Sequence, residues 1–446
     1  MSYNKKKIQK RMINMKLESN GVKVLQALQV PEPLPLPAIQ GWGDSYSRMP
    51  EKIFFLDPQW LMDRCNYLQM SQEDKKDIAE CSAIIRQNPI LTAYLWHTYN
   101  RLVSDYHDGA PPADFYTYPM PSHDLGKRAQ VFLVIALLGA TENMLIKYRQ
   151  NHIPEEVIEA TLQTVGGGIK SYRQNHGVCG VSVAGFAWTR LNLAGRLLQL
   201  GRFNFKLKET NDFGVLAKNR KSGKKVLLCQ AGFKINAKGI CVIKEDVNGE
   251  KIRDPRLSQC HFTTTLERTA KGWKGYISHP AGYVIPGIRE LNEEEWEFLI
   301  EPGDIMMDLH IPSGGNMTPD RCRDSLSYAF EFFSKHFPGR FKPAFISHSW
   351  IFNPQLEEIL PNSNPAKFMQ ELYLYPAPSI GQDGFFFIFG RYFKKEELAD
   401  APRDNTLRRA LLDLYRKTPL RTGGMIYLAE DLPNFGQKIY RTQFPF

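Results

Sequence analysis

Residues Asp304–Phe337, DIMMDLHIPSGGNMTPDRCRDSLSYAFEFFSKHF, read as strand, loop and helix, and the rest of the chain is interpreted around them. Ile305, Met307, Leu309 and Ile311 alternate with Asp304, Met306, Asp308 and His310, the period of a strand with one apolar face and one face carrying Asp308 and His310. Pro312 cannot donate to a ladder and ends it. After the loop Ser313-Gly314-Gly315-Asn316, Thr318 suits an N-cap, Pro319 the first helical position and Asp320 the first turn. Cys322, Leu326, Ala329, Phe330, Phe333 and Phe337 then recur at helical spacing, which predicts one buried face.

A glycine loop feeding a helix N-terminus aims backbone N–H groups at one point, with the positive end of the helix dipole behind them. That arrangement suits an anion. The plainer alternative is a tight turn that needs glycine only for its backbone angles.

The 446 residues allow two or three domains, and 43% hydrophobic with 12% aromatic residues describes a globular chain. The net charge of +10 is local. Residues 1–16 hold six Lys or Arg and no acid, and residues 218–225 hold five more, so these two runs account for the whole excess. No extended cationic face is implied, and neither a nucleic-acid nor a membrane partner is expected. Seven scattered cysteines without a CxxC pair read as reduced thiols. The N-terminus lacks the apolar stretch of a signal peptide, and Val131–Ala140 is too short to span a bilayer, so a cytoplasmic protein is expected.

Along the chain, residues 1–20 read as a basic flexible tail and 21–201 as an all-helical domain, the fourth long helix of which should stop at the run Gly166-Gly167-Gly168. From Arg202 to the C-terminus the pattern changes to alternating stretches separated by turn formers, a mixed α+β domain. The order strand, helix, strand makes 305–311 and 344–350 parallel. If they are neighbours, His310 and His348 share one rim. The run Phe385–Gly390, FFFIFG, reads as a buried strand.

Several segments carry a resemblance. HIPSGG, SLSYAFEFFSKHFP, FISHSWIFNPQLEEILPNSN, FFFIFG and DNTLRRAL resemble the C-terminal domain of a GNAT-like acyltransferase family, and the helical half ending in GRLLQLGRFNF resembles the N-terminal domain that accompanies it. The resemblance covers roughly residues 50–446 and implies a mixed sheet splayed between two central parallel strands. It also implies transfer of an acyl group from acyl-CoA, as co-substrate, to an amine or hydroxyl of a small molecule or peptide. The family loop Q/R-x-x-G-x-G/A corresponds here to His310-Ile311-Pro312-Ser313-Gly314-Gly315, where only the last glycine matches. That departure keeps open a non-catalytic acyl-CoA-binding protein on the same fold.

An amine must lose a proton before it attacks a thioester, so a base titrating near neutrality is needed. His310, oriented by Asp308, and His348 are the candidates. Tyr373 or Tyr375 are candidate proton donors to the leaving thiolate. Ser313, Gly314, Gly315, Asn316, Met317 and Thr318 are expected to hold the donor phosphates, and Ser347, Ser349 and Trp350 to face substrate. The sequence shows no metal-ligand spacing and no nucleotide-binding loop; Gly180-Val181-Ser182-Val183-Ala184 misses the hydrolase elbow, and Cys179 reads as a buried thiol.

Overall fold

A computed structural model describes residues 19–101, 118–181, 183–211, 213–242, 246–247, 250–251, 260–312, 314–390, 392–393 and 395–446. The expected basic tail, and Ser313 in the glycine loop, lie outside these residues. The chain divides into two compact units, residues 1–199 and 200–446.

The first unit is helical. Its centre is Ala129–Gln150, whose residues Val131–Ala140 are all buried, because a stretch apolar on every side must be covered on every side. By length and composition the helical run Ser122–Gln150 that contains it passes as a membrane span, yet 78% of its most apolar window is buried. Ser71 caps Gln72–Gln87 by accepting from the Asp74 amide. The expected stop at the glycine run does not occur. Glu155–His176 runs straight through it and ends at Gly177, because Gly166 packs where a side chain would meet the carbonyl of Leu68.

The second unit holds two main sheets. One orders Phe203–Glu209, Ile305–His310, Ala344–Ser349, Gly423–Leu428 and Tyr373–Pro376, with the short strand Leu198–Leu200, at the boundary of the two units, on its Phe203–Glu209 edge. The other is antiparallel and orders Tyr283–Asn292, Gly272–His279, Lys225–Leu228, Val215–Asn219 and Trp296–Ile300. The helix Pro319–His336 crosses between the two central parallel strands of the first sheet, as its N-terminal signals predict. Its buried face holds the expected Cys322, Leu326, Ala329 and Phe333 together with Ser325 and Phe332, while Phe330 and Phe337 are half-buried. The basic run 218–225 is partly neutralised: Lys225 pairs with Asp431 at 2.7 Å and Lys218 with Glu430 at 3.1 Å.

One expected element is wrong in kind. Phe385–Phe389 is a short helix, with Phe385 buried and Phe387 75% exposed. Five consecutive apolar residues carry no period, so the stretch itself does not separate strand from helix.

Candidate active site

Cross-strand register places the functional side chains on one face of the first sheet. Asp308 pairs with Lys206 and His310 with Asn204 on the antiparallel side. On the parallel side Asp308 pairs with Ile346, which puts His348, two residues further on, on that same face. His348 pairs with Gly424, and Gly424 with Tyr375. Asn204, His310, His348, Gly424 and Tyr375 thus belong to one row.

The row is split in the middle. The two parallel strands are neighbours, but their ladder joins only Met307 to Phe345 and Asp308 to Ile346. Beyond that, each stays with its antiparallel neighbour, His310 with Asn204 and Ser349 with Gly423. The sheet therefore parts between His310 and His348, the splay that the sequence resemblance implies.

On one bank, Asp308 is 5% exposed and His310 Nε2 lies 3.1 Å from its Oδ2, while Lys206 Nζ lies 3.4 Å from the same oxygen. Burial alone would raise the Asp308 carboxyl, but His310, then Lys206 and Lys208, outweigh it and hold the group below the usual carboxylate range. An ionised carboxylate only accepts, so Nε2 of His310 carries the proton that it donates. Asn204, 1% exposed, sits beside this pair with its Oδ1 lacking a hydrogen-bond partner among the described residues.

On the other bank, Tyr375 Oη lies 3.2 Å from His348 Nε2 and the rings meet edge to face at 5.3 Å. Gly424 makes this possible. A Cβ there would lie 2.1 Å from Cε2 of Tyr375, so the ring lies across the glycine to reach His348.

Tyr373 corrects an expectation. It is fully buried, and its hydroxyl donates to the Ser278 carbonyl and accepts from the Leu227 amide, tying the two sheets together. Burial pushes its phenol well above the usual tyrosine range. It is a structural group without access to a thiolate, and Tyr375, also largely buried, is the tyrosine of this strand that reaches His348. Ser349 accepts from the Ile351 amide, so it caps the turn after the strand. Ser347 is 2% exposed, on the face opposite His348. Trp350 packs against the cluster around Phe385 and Leu411. None of these three is directed at the row.

The glycine loop follows His310. Gly314 and Gly315 both have left-handed φ, +81° and +69°, and both are exposed. Only glycine adopts such angles freely, so the loop brings exposed backbone to the end of the strand. Thr318 is the N-cap of Pro319–His336 but makes no side-chain cap hydrogen bond, so the first-turn amides keep their donors. Asn316 accepts from Arg321 at 2.8 Å. The Met317 side chain is buried, which leaves only its backbone to the loop.

Sequence reasoning missed two residues here, Asn204 and Arg202. Both stand in the quoted segment GRLLQLGRFNF, but nothing in that segment says what they meet; strand register and packing bring them to the site. A cavity of about 370 Å³ lies at the sheet end lined by Pro376, Ala377, Arg421 and Thr422, next in sequence to Tyr375 and Gly423.

A family described as the GNAT-like C-terminal domain matches residues 197–427, and one described as the N-acyltransferase N-terminal domain matches residues 59–195. The first spans more than half of the chain, which belongs to the two-domain GNAT-like acyltransferase family. Among solved structures, the chain is similar to an acyltransferase in complex with decanoyl-CoA and teicoplanin, with 19% identity, a TM-score of 0.58 and coverage of 91% of this chain and 98% of the other. It is likewise similar to an acyltransferase in complex with CoA and 10C-teicoplanin, with 18% identity, a TM-score of 0.58 and the same coverages. Comparison with curated proteins gives no match.

Proposed function

We propose that this chain transfers an acyl group from acyl-CoA to an amine or hydroxyl of a small molecule or peptide. The observation that carries this reading is the split row, with Asp308–His310 on one bank, His348–Tyr375 on the other and the glycine loop at the end of the first strand. The structural neighbours bound to acyl-CoA, CoA and teicoplanin support a thioester donor and a small-molecule acceptor.

In this reading the phosphates of the donor lie on the amides of Gly314, Gly315 and the first turn after Thr318. The thioester arm then enters between the parted strands, whose inner edges beyond Asp308 and Ile346 share no ladder. An arm carrying amide groups can pair with such edges.

The acceptor nitrogen attacks the thioester carbonyl carbon and loses its proton to His310, whose Nε2–H is fixed on Asp308, so that Nδ1 is the accepting atom. The tetrahedral intermediate expels the thiolate as the C–S bond breaks. Tyr375 gives the thiolate a proton and is resupplied through His348 across the 3.2 Å contact, His348 taking the replacement from solvent as His310 releases its own proton there. The overall step releases one free thiol and one acylated acceptor. With His348 as the base instead, the same Tyr375 contact would return the proton.

Free-thiol release from acyl-CoA donors with pooled amines tests the activity. His310→Ala and His348→Ala separate the two bases. Normal turnover in both variants would sink the assignment. Stabilisation by CoA without any turnover would favour a binding protein that kept the fold.

A further inference from the structure

The loop after His310 lacks the glutamine or arginine that the family pattern places at its first position; histidine stands there. A cation nevertheless lies behind the loop, brought by another strand. Arg202 precedes Phe203–Glu209, and both of its terminal nitrogens donate to the Pro312 carbonyl at 3.2 Å. It is only 9% exposed. Its Nε has no hydrogen-bond partner among the described residues and lies 3.7 Å from where a Cβ on Gly315 would stand, so it faces the loop.

The position of Arg202 is built in. Ser325, buried on the helix that the loop feeds, donates to the Leu200 carbonyl at 2.5 Å and accepts from the Phe203 amide at 3.1 Å. The turn carrying Arg202 is thereby clamped to the helix from both sides. Arg202 makes no ion pair with any described residue. Burial pulls its guanidinium below the ordinary arginine range, the Cys322 thiol opposes that, and Arg321 adds to it. A buried guanidinium without a counter-charge is costly to the fold, and the cost falls when an anion arrives.

We infer that Arg202 is the charge-bearing residue of a phosphate-diester site formed with the Gly314 and Gly315 amides, replacing from a neighbouring strand the cation that the loop itself lacks. This rests on the proposed reading of the loop as the donor site and names the residue on which its phosphate affinity depends. Arg202 acts in two ways. It fixes the Pro312 carbonyl away from the anion, and it places a full positive charge beneath the amides. Its contribution acts on the phosphates and not on the acyl thioester.

The test compares the unmodified full chain with Arg202→Gln and Arg202→Lys, using inorganic pyrophosphate, acyl-CoA and the matching acyl-pantetheine thioester, which lacks phosphates. Pyrophosphate should raise the melting temperature of the unmodified chain, less so as salt rises, and this shift should vanish in Arg202→Gln and persist in part in Arg202→Lys. In turnover, Arg202→Gln should raise KM for acyl-CoA at least tenfold and change kcat/KM for acyl-pantetheine less than twofold. Equal effects on both donors, or none on either, would overturn the inference. If Arg202→Gln does not fold, Arg202→Lys and the salt dependence of the pyrophosphate shift decide. A pyrophosphate shift lost in Arg202→Gln alongside no response to CoA would uphold the anion site and refute the donor reading. CoA binding equal in both chains would do the reverse.

Discussion

Gly424→Ala probes the acid side of the row, because the room for Tyr375 is set by the absence of one carbon. A Cβ at position 424 would stand 2.1 Å from Cε2, 2.3 Å from Cζ and 2.7 Å from Cδ2 of Tyr375. An ordinary contact begins near 3.4 Å, so the ring must retreat by about 1.3 Å. Its hydroxyl now lies 3.2 Å from His348 Nε2, and hydrogen bonds weaken steeply beyond roughly 3.5 Å, so the contact is lost. Gly424 has no left-handed φ, so the backbone accepts alanine and the cost is steric. Overpacking of this kind costs about 1–3 kcal/mol of stability, within what a domain tolerates.

The kinetic effect should be larger than the thermal one. A positioned proton donor contributes about 10²–10⁴-fold, so kcat for thiol release should fall by that order while KM for the donor holds. Tyr375→Phe removes the proton without moving the ring and should give a similar kcat with little change in melting temperature. Single-turnover thiol release and thermal melts on both variants measure these quantities. If Gly424→Ala keeps kcat within threefold of the unmodified chain, or Tyr375→Phe does, Tyr375 is not the donor and the acid half of the mechanism is wrong.

Three further expectations follow from other groups. Asp308→Asn should lower kcat by roughly 10²-fold by taking the anion from His310. Because the folded-state pKa of Asp308 is depressed, its contribution to stability is full above the unfolded value of about 3.9 and is lost as pH falls below it, so urea midpoints of Asp308→Asn should vary less than those of the unmodified chain at the acid end. Asp383 shows the opposite sign: burial, against the amides of Ile380 and Gly381, pushes its carboxyl up to about 6. The folded state then binds the extra proton between about pH 4 and 6, stability falls as pH rises through that window by on the order of 3 kcal/mol, and Asp383→Asn should flatten the slope. Tyr373→Phe leaves the Leu227 amide and the Ser278 carbonyl unpaired and should cost about 1–3 kcal/mol in denaturant melts with kcat unchanged.

The parts of this site that could be read from sequence are those whose physics is local. Alternation marks Ile305–His310, proline ends it, and Thr318, Pro319 and Asp320 mark the start of the helix, all within one short stretch. Asp308 and His310 are two apart on a strand, so their pairing is a local inference as well. The choice between Tyr373 and Tyr375 is not local. Both share one face, and what separates them is the neighbour each meets: Ser278 and Leu227 of the other sheet for the first, Gly424 and His348 for the second. Arg202 and Asn204 stand in the quoted segment GRLLQLGRFNF, but their part in the site is not readable there for the same reason, since Pro312 and His310, which they meet, lie more than a hundred residues away. The glycine run at 166–168 misled because a helix stop and a close helix contact use the same residue.

The opening in the sheet follows from competition between ladders. A parallel pair is slightly weaker per residue than an antiparallel one, and each central strand here has one neighbour of each kind. Sheet twist pulls neighbouring strands out of line as they lengthen, so where both ladders cannot continue, the parallel one yields. The Arg202 contact to Pro312 holds the first strand to the Phe203–Glu209 side past its last residue. Ser349, still paired with Gly423 and capping the Ile351 amide, holds the second to the Gly423–Leu428 side. The cleft is thus held open from both outer flanks and needs no ligand to part it. On the first strand's side that task is shared, because His310 itself pairs with Asn204, so loss of the Arg202 contact leaves the cleft in place and falls on the phosphates, which is what the phosphate-free donor checks.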